Sequence, residues 1–303
     1  MTTSLHPQPD APTLTPDVPV PFHRMMPARP GHRWWRPLVS IVASVAAYAV
    51  IVIAALIFVV LATPRLAQQV MAIDPLVPDL GDPVLSWVSS VMLALMIPAV
   101  AAGVWIGERR GLGTLSSVAG RLRVGLLSRC LLLAAAVFAV FVAVSLLAGV
   151  AQGETVAVRW MPSSLALVAV ALLGVPFQAA AEEYVFRALP QQALGSWLKS
   201  PWWGILLPVP LFVIGHGYDL AGQISVAVFG LAAGILTWRT GGLEAAIALH
   251  VVNNASLYLL GAVGLVDLSA TGGSWVGLLL DTAMIGGYTA LVFRLTARRP
   301  RVR

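Results

Sequence analysis

Three ionisable residues, Glu182, Glu183 and Arg187, interrupt an otherwise apolar stretch of the sequence. A charged side chain at the centre of a membrane helix costs about 2.5–3.5 kcal/mol even on lenient insertion scales, so it is rarely present without a role. Glu183 and Arg187 are four residues apart with the acid first, the favourable order for an ion pair on one helix face. Glu182 is rotated by about 100° from Glu183. We therefore expect Glu182 to be unpaired, to face a cavity and to be available for chemistry.

Two histidines and an asparagine in later apolar segments extend this set. His216 and His250 each lie in an apolar run, and Asn254 follows His250 by four residues, on the same helix face. Phe212, four residues before His216, is expected to line the same side. A carboxylate and an imidazole in a partly dry cavity can activate water, and an imidazole with an amide can donate to an oxyanion. The set suits amide hydrolysis without a protein nucleophile.

A metal site is an open alternative. Glu182, His216 and His250 match the two-histidine, one-carboxylate ligand set of catalytic zinc. The sequence contains no His-Glu-x-x-His motif, so metal is permitted and not needed. We expect no required cofactor, with zinc as the alternative. Cys130 is the single cysteine, which excludes an internal disulfide and a cysteine-based metal cluster.

Three further polar residues receive other predictions. Glu244 begins an apolar segment, where a carboxylate complements the helix dipole, so it is expected to be structural. Asn253 points away from the face of Asn254 and is expected to bond a neighbouring helix. Asp281, in the last apolar segment, keeps an open role.

Composition indicates a multi-spanning helical membrane protein. Of 303 residues, 58% are hydrophobic and 11% are charged, and the mean hydropathy is +0.86. The net charge of +6 would suggest nucleic acid as a partner of a soluble chain. Here the arginines cluster at the ends of apolar segments, as the orientation rule for membrane proteins predicts. We expect membrane lipids as partners, no nucleic acid, and a multi-pass location in the cell membrane.

The predicted fold is an all-α bundle of about eight transmembrane helices. With both termini inside, every Lys and Arg except Arg65 and Arg159 is cytoplasmic, which favours an N-in, C-in topology. The fifth and sixth spans are short, and no internal repeat of the transporter kind is visible. The spans are residues 38–62, 83–106, 126–150, 162–195, 202–217, 223–239, 243–265 and 275–295.

Four regions follow from this pattern. Residues 1–37 are predicted to be a disordered Pro-rich cytoplasmic tail in which His6, His23 and His32 are solvated. The tail ends in Arg33-Trp34-Trp35-Arg36, a predicted interfacial anchor. Residues 38–160 hold three N-terminal transmembrane helices, 161–265 a catalytic helical core, and 266–303 the last transmembrane helix and a basic cytoplasmic tail.

Three motifs in order resemble those of the CPBP intramembrane endopeptidase family, which includes CAAX prenyl proteases of the Ras-converting type and Abi proteins. The match covers approximately residues 165–262, and it is the ordered trio that is specific. Its motifs are Glu182-Glu183-x-x-x-Arg187, Phe212-x-x-x-His216 and His250-x-x-x-Asn254.

The resemblance implies a role for each motif. Glu182 and His216 would activate water, His250 and Asn254 would hold the oxyanion, and the Glu183–Arg187 pair would brace the site. Family members are described both as metalloproteases and as metal-independent glutamate proteases, so zinc stays open. The chain departs from the family pattern at Glu244, where an apolar or aromatic residue is expected and where the carboxylate would alter the cavity mouth.

These inferences predict an intramembrane endopeptidase that hydrolyses a peptide bond with Glu/His-activated water in a membrane cavity. Two alternatives stay open. A non-proteolytic immunity or scaffolding relative would need none of the catalytic residues, and a proton-coupled transporter could use buried Glu and His as a relay. The expected substrate is a polypeptide that is lipidated or membrane-bound. The family name suggests a prenylated CAAX protein, but the fold can also occur where no prenylation exists.

Overall fold

Long apolar segments of the sequence form helices, because in lipid the chain satisfies its backbone hydrogen bonds within each helix. A computed structural model describes residues 20–71, 79–153 and 155–297, and this part contains helices and no strand. Short helical pieces lie at Phe22–Arg24, Pro64–Met71 and Gly113–Ser116. The main helices are α1 Arg36–Ala62, α2 Pro83–Glu108, α3 Val124–Ala151, α4 Ser164–Trp197, α5 Trp202–Ile214, α6 Leu220–Thr240, α7 Glu244–Ala262 and α8 Trp275–Ala297.

Helix α5 is short but still carries the chain through the bundle. The other seven main helices of the described chain are long and apolar enough to cross a membrane. Trp202 packs near the end of α6, with 6.2 Å between its ring centroid and that of Trp238. Beyond α5, the Asp219 N–H donates to the Thr271 carbonyl just before α8, at 3.2 Å. The predicted helical membrane bundle is therefore confirmed. Together with residues 215–219, α5 carries the chain from one end of the bundle to the other.

Among the residues that the structure describes, most basic side chains lie at one end of the bundle, which we call the basic end. Here α1, α3 and α7 begin and α2, α4, α6 and α8 end. The Trp197 indole donates to the Trp34 carbonyl at 2.7 Å, which joins the end of α4 to the start of α1. Arg239 lies 5.6 Å from the Phe293 ring, which joins the ends of α6 and α8. The start of α1 and the end of α8 therefore lie on the same side of the bundle. That this side is cytoplasmic stays a prediction.

Residues 20–35 fold against the basic end, which corrects the predicted disorder of this part of the tail. Phe22 and Met26 are buried in a cluster with Leu115 and Leu189. Burial of two large apolar side chains offsets the entropy of ordering the segment. The Pro-rich composition of the tail concealed these two anchors.

Two histidines of the tail are also not solvated as predicted. The His23 ring is buried and lies 3.2 Å from the Lys199 carbonyl. Burial lowers the pKa of His23, while the bond to the Lys199 carbonyl acts in the opposite direction. His32 Nδ1 lies 3.9 Å from Glu108 Oε1. Residues 1–19, which include His6, lie outside the described residues.

Helix α4 contains two π turns, at Val170–Gly174 and Tyr184–Ala188. Pro176 and Pro190 follow them. Proline has no N–H to donate to the carbonyl four residues earlier, so the helical ladder is rearranged at each position. The second π turn begins directly after Glu183, and such turns are frequent at functional sites.

Small residues bring α1 and α2 into close contact. Gly103 and Gly107 of α2 face Ser40 and Ser44 of α1, and a Cβ at Gly107 would lie 2.7 Å from the Arg36 carbonyl oxygen. Membrane helices commonly associate through small residues spaced in this way, because their backbones can then approach closely.

We expect Gly107→Val to weaken the packing of α1 on α2, because the added side chain overlaps backbone atoms that cannot move aside. Overpacking of this kind costs about 1–3 kcal/mol. The measurement is the melting temperature and the monodisperse yield in detergent. Gly286→Ala is the control, since a Cβ there meets no atom within 4 Å. Equal stability of the two variants would contradict the α1–α2 contact.

Candidate active site

Glu183 is fully buried and is bound by two basic side chains. Arg187 Nη1 lies 3.2 Å from Glu183 Oε1, so the structure contains the ion pair predicted from helical spacing. His250 Nδ1 lies 2.7 Å from the same oxygen, a contact that was not predicted. Because an ionised carboxylate only accepts, His250 Nδ1 carries the proton of this bond. Glu183 therefore joins α4 to α7 and fixes the orientation of the His250 ring.

Phe212 of α5 covers the guanidinium of Arg187. The Arg187 guanidinium carbon lies 4.0 Å from the centroid of the Phe212 ring and 5.7 Å from that of Phe229. A cation over an aromatic face is stabilised by the ring quadrupole, by about 2 kcal/mol when desolvated. Phe212 thus links the second motif to the first, in addition to its predicted position beside His216.

Glu182 is not unpaired, which corrects the expectation from helical spacing. Gln178 Nε2 donates to Glu182 Oε1 at 2.6 Å, and Asn254 Nδ2 donates to Gln178 Oε1 at 3.3 Å. The other oxygen, Glu182 Oε2, is buried, accepts no hydrogen bond from the described residues, and lies 3.7 Å from His250 Nε2. Asn253 does not point elsewhere as predicted, because its Nδ2 donates to Asn254 Oδ1 at 3.0 Å.

His216 lies just beyond the end of α5, against Phe212. Its Nδ1 is 2.8 Å from the Phe212 carbonyl, which can only accept, so Nδ1 carries the proton of this hydrogen bond. The two rings are in contact, with 4.7 Å between centroids. Within the described chain, His216 makes no hydrogen bond or ion pair with Glu182. The structure therefore joins Glu182, His250 and Asn254 in one network and leaves His216 beside it.

The predicted zinc ligands are only partly assembled. Glu182 Oε2 and His250 Nε2 face each other at 3.7 Å. A carboxylate on the other ring nitrogen, here Glu183, is the usual support of a metal-binding histidine. In the described part of the chain, however, no three His, Cys, Asp or Glu side chains are grouped closely enough to hold a metal ion. Two of the three donors fit a metal, and His216 does not complete the set in this arrangement.

The remaining acidic residues of the apolar segments make structural contacts. Arg123 binds both oxygens of the buried Glu244, at 2.9 and 2.7 Å. Glu244 thus ties the start of α7 to the start of α3 at the basic end, in agreement with its predicted structural role. Its predicted effect on a cavity mouth stays a prediction. Asp281 accepts from the Ser225 hydroxyl at 3.0 Å and joins α8 to α6.

Two residues of the site were missed by the sequence analysis. Gln178 precedes Glu182 by four residues, and this spacing could have indicated the hydrogen bond between them. Phe229 of α6 packs edge-on against His250, with 4.9 Å between ring centroids. Apart from its apolar character, nothing in the sequence distinguished Phe229 from other core residues.

Comparisons with known proteins agree with the motifs. Residues 161–256 match the family model Rce1-like, described as type II CAAX prenyl endopeptidase Rce1-like. The uncharacterized protein YyaK of Bacillus subtilis (strain 168) is 29% identical over 220 residues, which cover 67% of this chain and 69% of YyaK. No solved structure matches the chain. The resemblance predicted from the three motifs is thus confirmed, and the matched segment includes every residue of the network from Gln178 to Asn254. Together with the apolar helices, this resemblance indicates a multi-pass membrane protease.

We expect Arg187→Ala to lower both the folded yield and the activity, because Glu183 then keeps His250 as its single partner among the described residues. Removing one partner of a buried ion pair costs about 3–5 kcal/mol. The double variant Glu183→Gln with Arg187→Met should recover much of the stability, measured as the melting temperature in detergent. It should not recover activity, because His250 loses its carboxylate.

The control for this experiment is Arg294→Ala, which removes an exposed arginine at the basic end. Its yield and melting temperature should stay close to those of the wild type. A normal melting temperature for Arg187→Ala would show that Glu183 does not depend on the ion pair.

Proposed function

We propose that this chain, whose residues 161–256 carry the Rce1-like pattern, is an intramembrane endopeptidase of the cell membrane. Its substrate is a membrane-bound polypeptide, and the attacking group is a water molecule activated by Glu182. The observation that supports this most directly is the position of Glu182. One of its oxygens is held by Gln178, while the other is buried, accepts no hydrogen bond from the described residues and faces His250.

In the proposed reaction Glu182 is the general base. Its Oε2 takes a proton from water, and His216 is the second group that the family resemblance assigns to the activation of this water. The oxygen of the water attacks the carbonyl carbon of the peptide bond. The carbonyl π electrons move to oxygen, which becomes the oxyanion. When the tetrahedral intermediate collapses, the C–N bond breaks and Glu182 returns the proton to the leaving amine. Atoms and charge balance without a covalent enzyme intermediate.

The oxyanion is proposed to be held by His250 and Asn254. The amide nitrogen of Asn254 carries two hydrogens, and one of them is bound to Gln178, so the second can donate to the oxyanion. His250 donates to Glu183 through its Nδ1–H, so a second hydrogen bond from Nε2 to the oxyanion requires the doubly protonated imidazolium, in which Nε2–H is directed at the site. Phe212 and Phe229 border the His250 ring on the apolar side. In a site with little water, such donors stabilise developing charge more than they would in bulk solvent.

Zinc is the alternative source of the activated water. Glu182 and His250 would then hold the ion, with His216 as the third member of the two-histidine, one-carboxylate set, and the metal would supply Lewis-acid activation of the water. His250 could not serve as an oxyanion donor in that case. The two proposals therefore make different predictions for His250.

We expect Glu182→Gln to abolish proteolysis while the protein remains folded, because only the base is lost. General bases contribute about 10²–10⁴-fold to rate. Since the substrate is not assigned, activity is measured by comparing new peptide termini in cells that express wild type or variant. Asp281→Asn is the control, since it alters another acid of the membrane helices outside the site. Activity of Glu182→Gln within tenfold of wild type would remove Glu182 from the mechanism.

Removal of metal separates the two sources of activated water. Without a metal, purified protein should contain less than stoichiometric zinc and keep its activity in a chelator. His250→Gln should then retain partial activity, because an amide replaces an imidazole as a donor but is a poor zinc ligand. Stoichiometric zinc by elemental analysis, with activity lost on chelation and restored by zinc, would contradict the metal-free mechanism.

A further inference from the structure

A chain of hydrogen-bonded amides connects α7 to Glu182 and runs in one direction. Asn253 Nδ2 donates to Asn254 Oδ1 at 3.0 Å, and Asn254 Nδ2 donates to Gln178 Oε1 at 3.3 Å. Gln178 Nε2 donates to Glu182 Oε1 at 2.6 Å, the shortest of the three bonds. Gln178 is 8% exposed and Glu182 is 6% exposed, so bulk water does not replace the bond between them.

The direction of this chain is set by the carboxylate at its end. An ionised carboxylate has no hydrogen to donate, so Gln178 must turn its nitrogen toward Glu182. Its oxygen then faces Asn254, which must present nitrogen in return. Hydrogen bonds in such a network polarise one another and strengthen the common orientation. The charge of Glu182 therefore determines that Asn254 faces Gln178 with its amide nitrogen and not with its carbonyl oxygen.

We propose that Gln178 is a positioning residue that couples the base to the oxyanion donor. It holds Glu182 Oε1, so that Oε2 is left for the attacking water, and it keeps the nitrogen of Asn254 directed at the developing oxyanion. Without Gln178, the Asn254 amide can rotate by about 180° and present its oxygen, which repels an oxyanion. This inference rests on the proposed endopeptidase function.

The first test replaces Gln178 by methionine, which keeps an unbranched side chain of similar length and removes both polar atoms. The probe is a synthetic peptide that spans a cleavage site found in the comparison of peptide termini, and it is assayed with purified protein in detergent. We expect kcat on this peptide to fall by about 10²-fold, as for loss of an oxyanion donor. KM should stay within about threefold, because the contact acts in the transition state. Gln191→Met is the matched control: Gln191 is fully buried in the same helix and donates to the Gly234 carbonyl at 2.9 Å, away from the site. It should lower the melting temperature without a selective loss of kcat.

A double-variant measurement separates positioning from packing. In an Asn254→Ala background, Gln178 has no amide left to orient, so Gln178→Met should cost less than it does in the wild type. The combined loss of kcat should be at least about fivefold smaller than the product of the two separate losses, since groups that act as a unit are not additive. Losses that multiply fully, with a melting temperature that falls as much as in Gln191→Met, would overturn the proposal and make Gln178 a packing residue.

An infrared measurement tests the contact without any activity. The chain has five glutamates, so isotope-edited spectra of glutamate-labelled protein contain few carboxylate bands. The band lost in Glu182→Gln belongs to Glu182. It should shift in Gln178→Met and stay in place in Gln191→Met, because only the first variant removes a donor from Glu182.

The two readouts keep the proposals apart. An unshifted band would overturn the role of Gln178 whatever the activity of the protein. A shifted band in a protein that cleaves no peptide would refute the endopeptidase function, and Gln178 would then be only a structural partner of Glu182. A shifted band together with the selective loss of kcat is the result we expect.

Discussion

The Glu183 carboxylate is fully buried inside a membrane helix, and the surrounding helices have to balance its charge. Transfer of such a group out of water costs several kcal/mol unless partners and hydrogen bonds compensate. Arg187 supplies one partner from the next turn of α4, and His250 supplies another from α7. Phe212 covers Arg187 from α5. Neutralising one charge therefore brings the three motif-bearing helices to one point, although they are far apart in sequence.

The adjacent Glu182 differs from Glu183 because one residue of helix rotates its side chain by about 100°. Glu183 is bound by Arg187 and His250, whereas Glu182 is held by the neutral amide of Gln178. Because Arg187 forms its ion pair with Glu183, it does not pair with Glu182. One helix turn thus provides both the group that fixes the helices and the group that is proposed to act on water.

The parts of the fold that sequence could predict are those fixed within one helix. Apolar segments become helices because each satisfies its own hydrogen bonds, and the Glu183–Arg187 pair follows from spacing alone. The contact between Glu183 and His250 joins residues distant in sequence, and no helical rule specifies it. The orientation of Asn253 was predicted from one helix in isolation and was wrong, because Asn254 accepts its hydrogen bond. The order of residues 20–35 was also not predicted. Their proline content indicated disorder, and the surfaces that bury Phe22 and Met26 belong to segments distant in sequence.

The early end of α5 follows from the same requirement to satisfy polar groups at depth. A helix over Trp202–Ile214 is about 20 Å long, less than the hydrocarbon thickness of about 30 Å. Its last carbonyls lack helical donors, and His216 Nδ1 donates to that of Phe212. Non-helical backbone at such depth is tolerated only where it is buried in protein or lines a water-filled cavity. For residues 215–219 to be non-helical at this depth, the face of the bundle that holds His216 has to be shielded from lipid. A site for water-dependent hydrolysis has the same requirement.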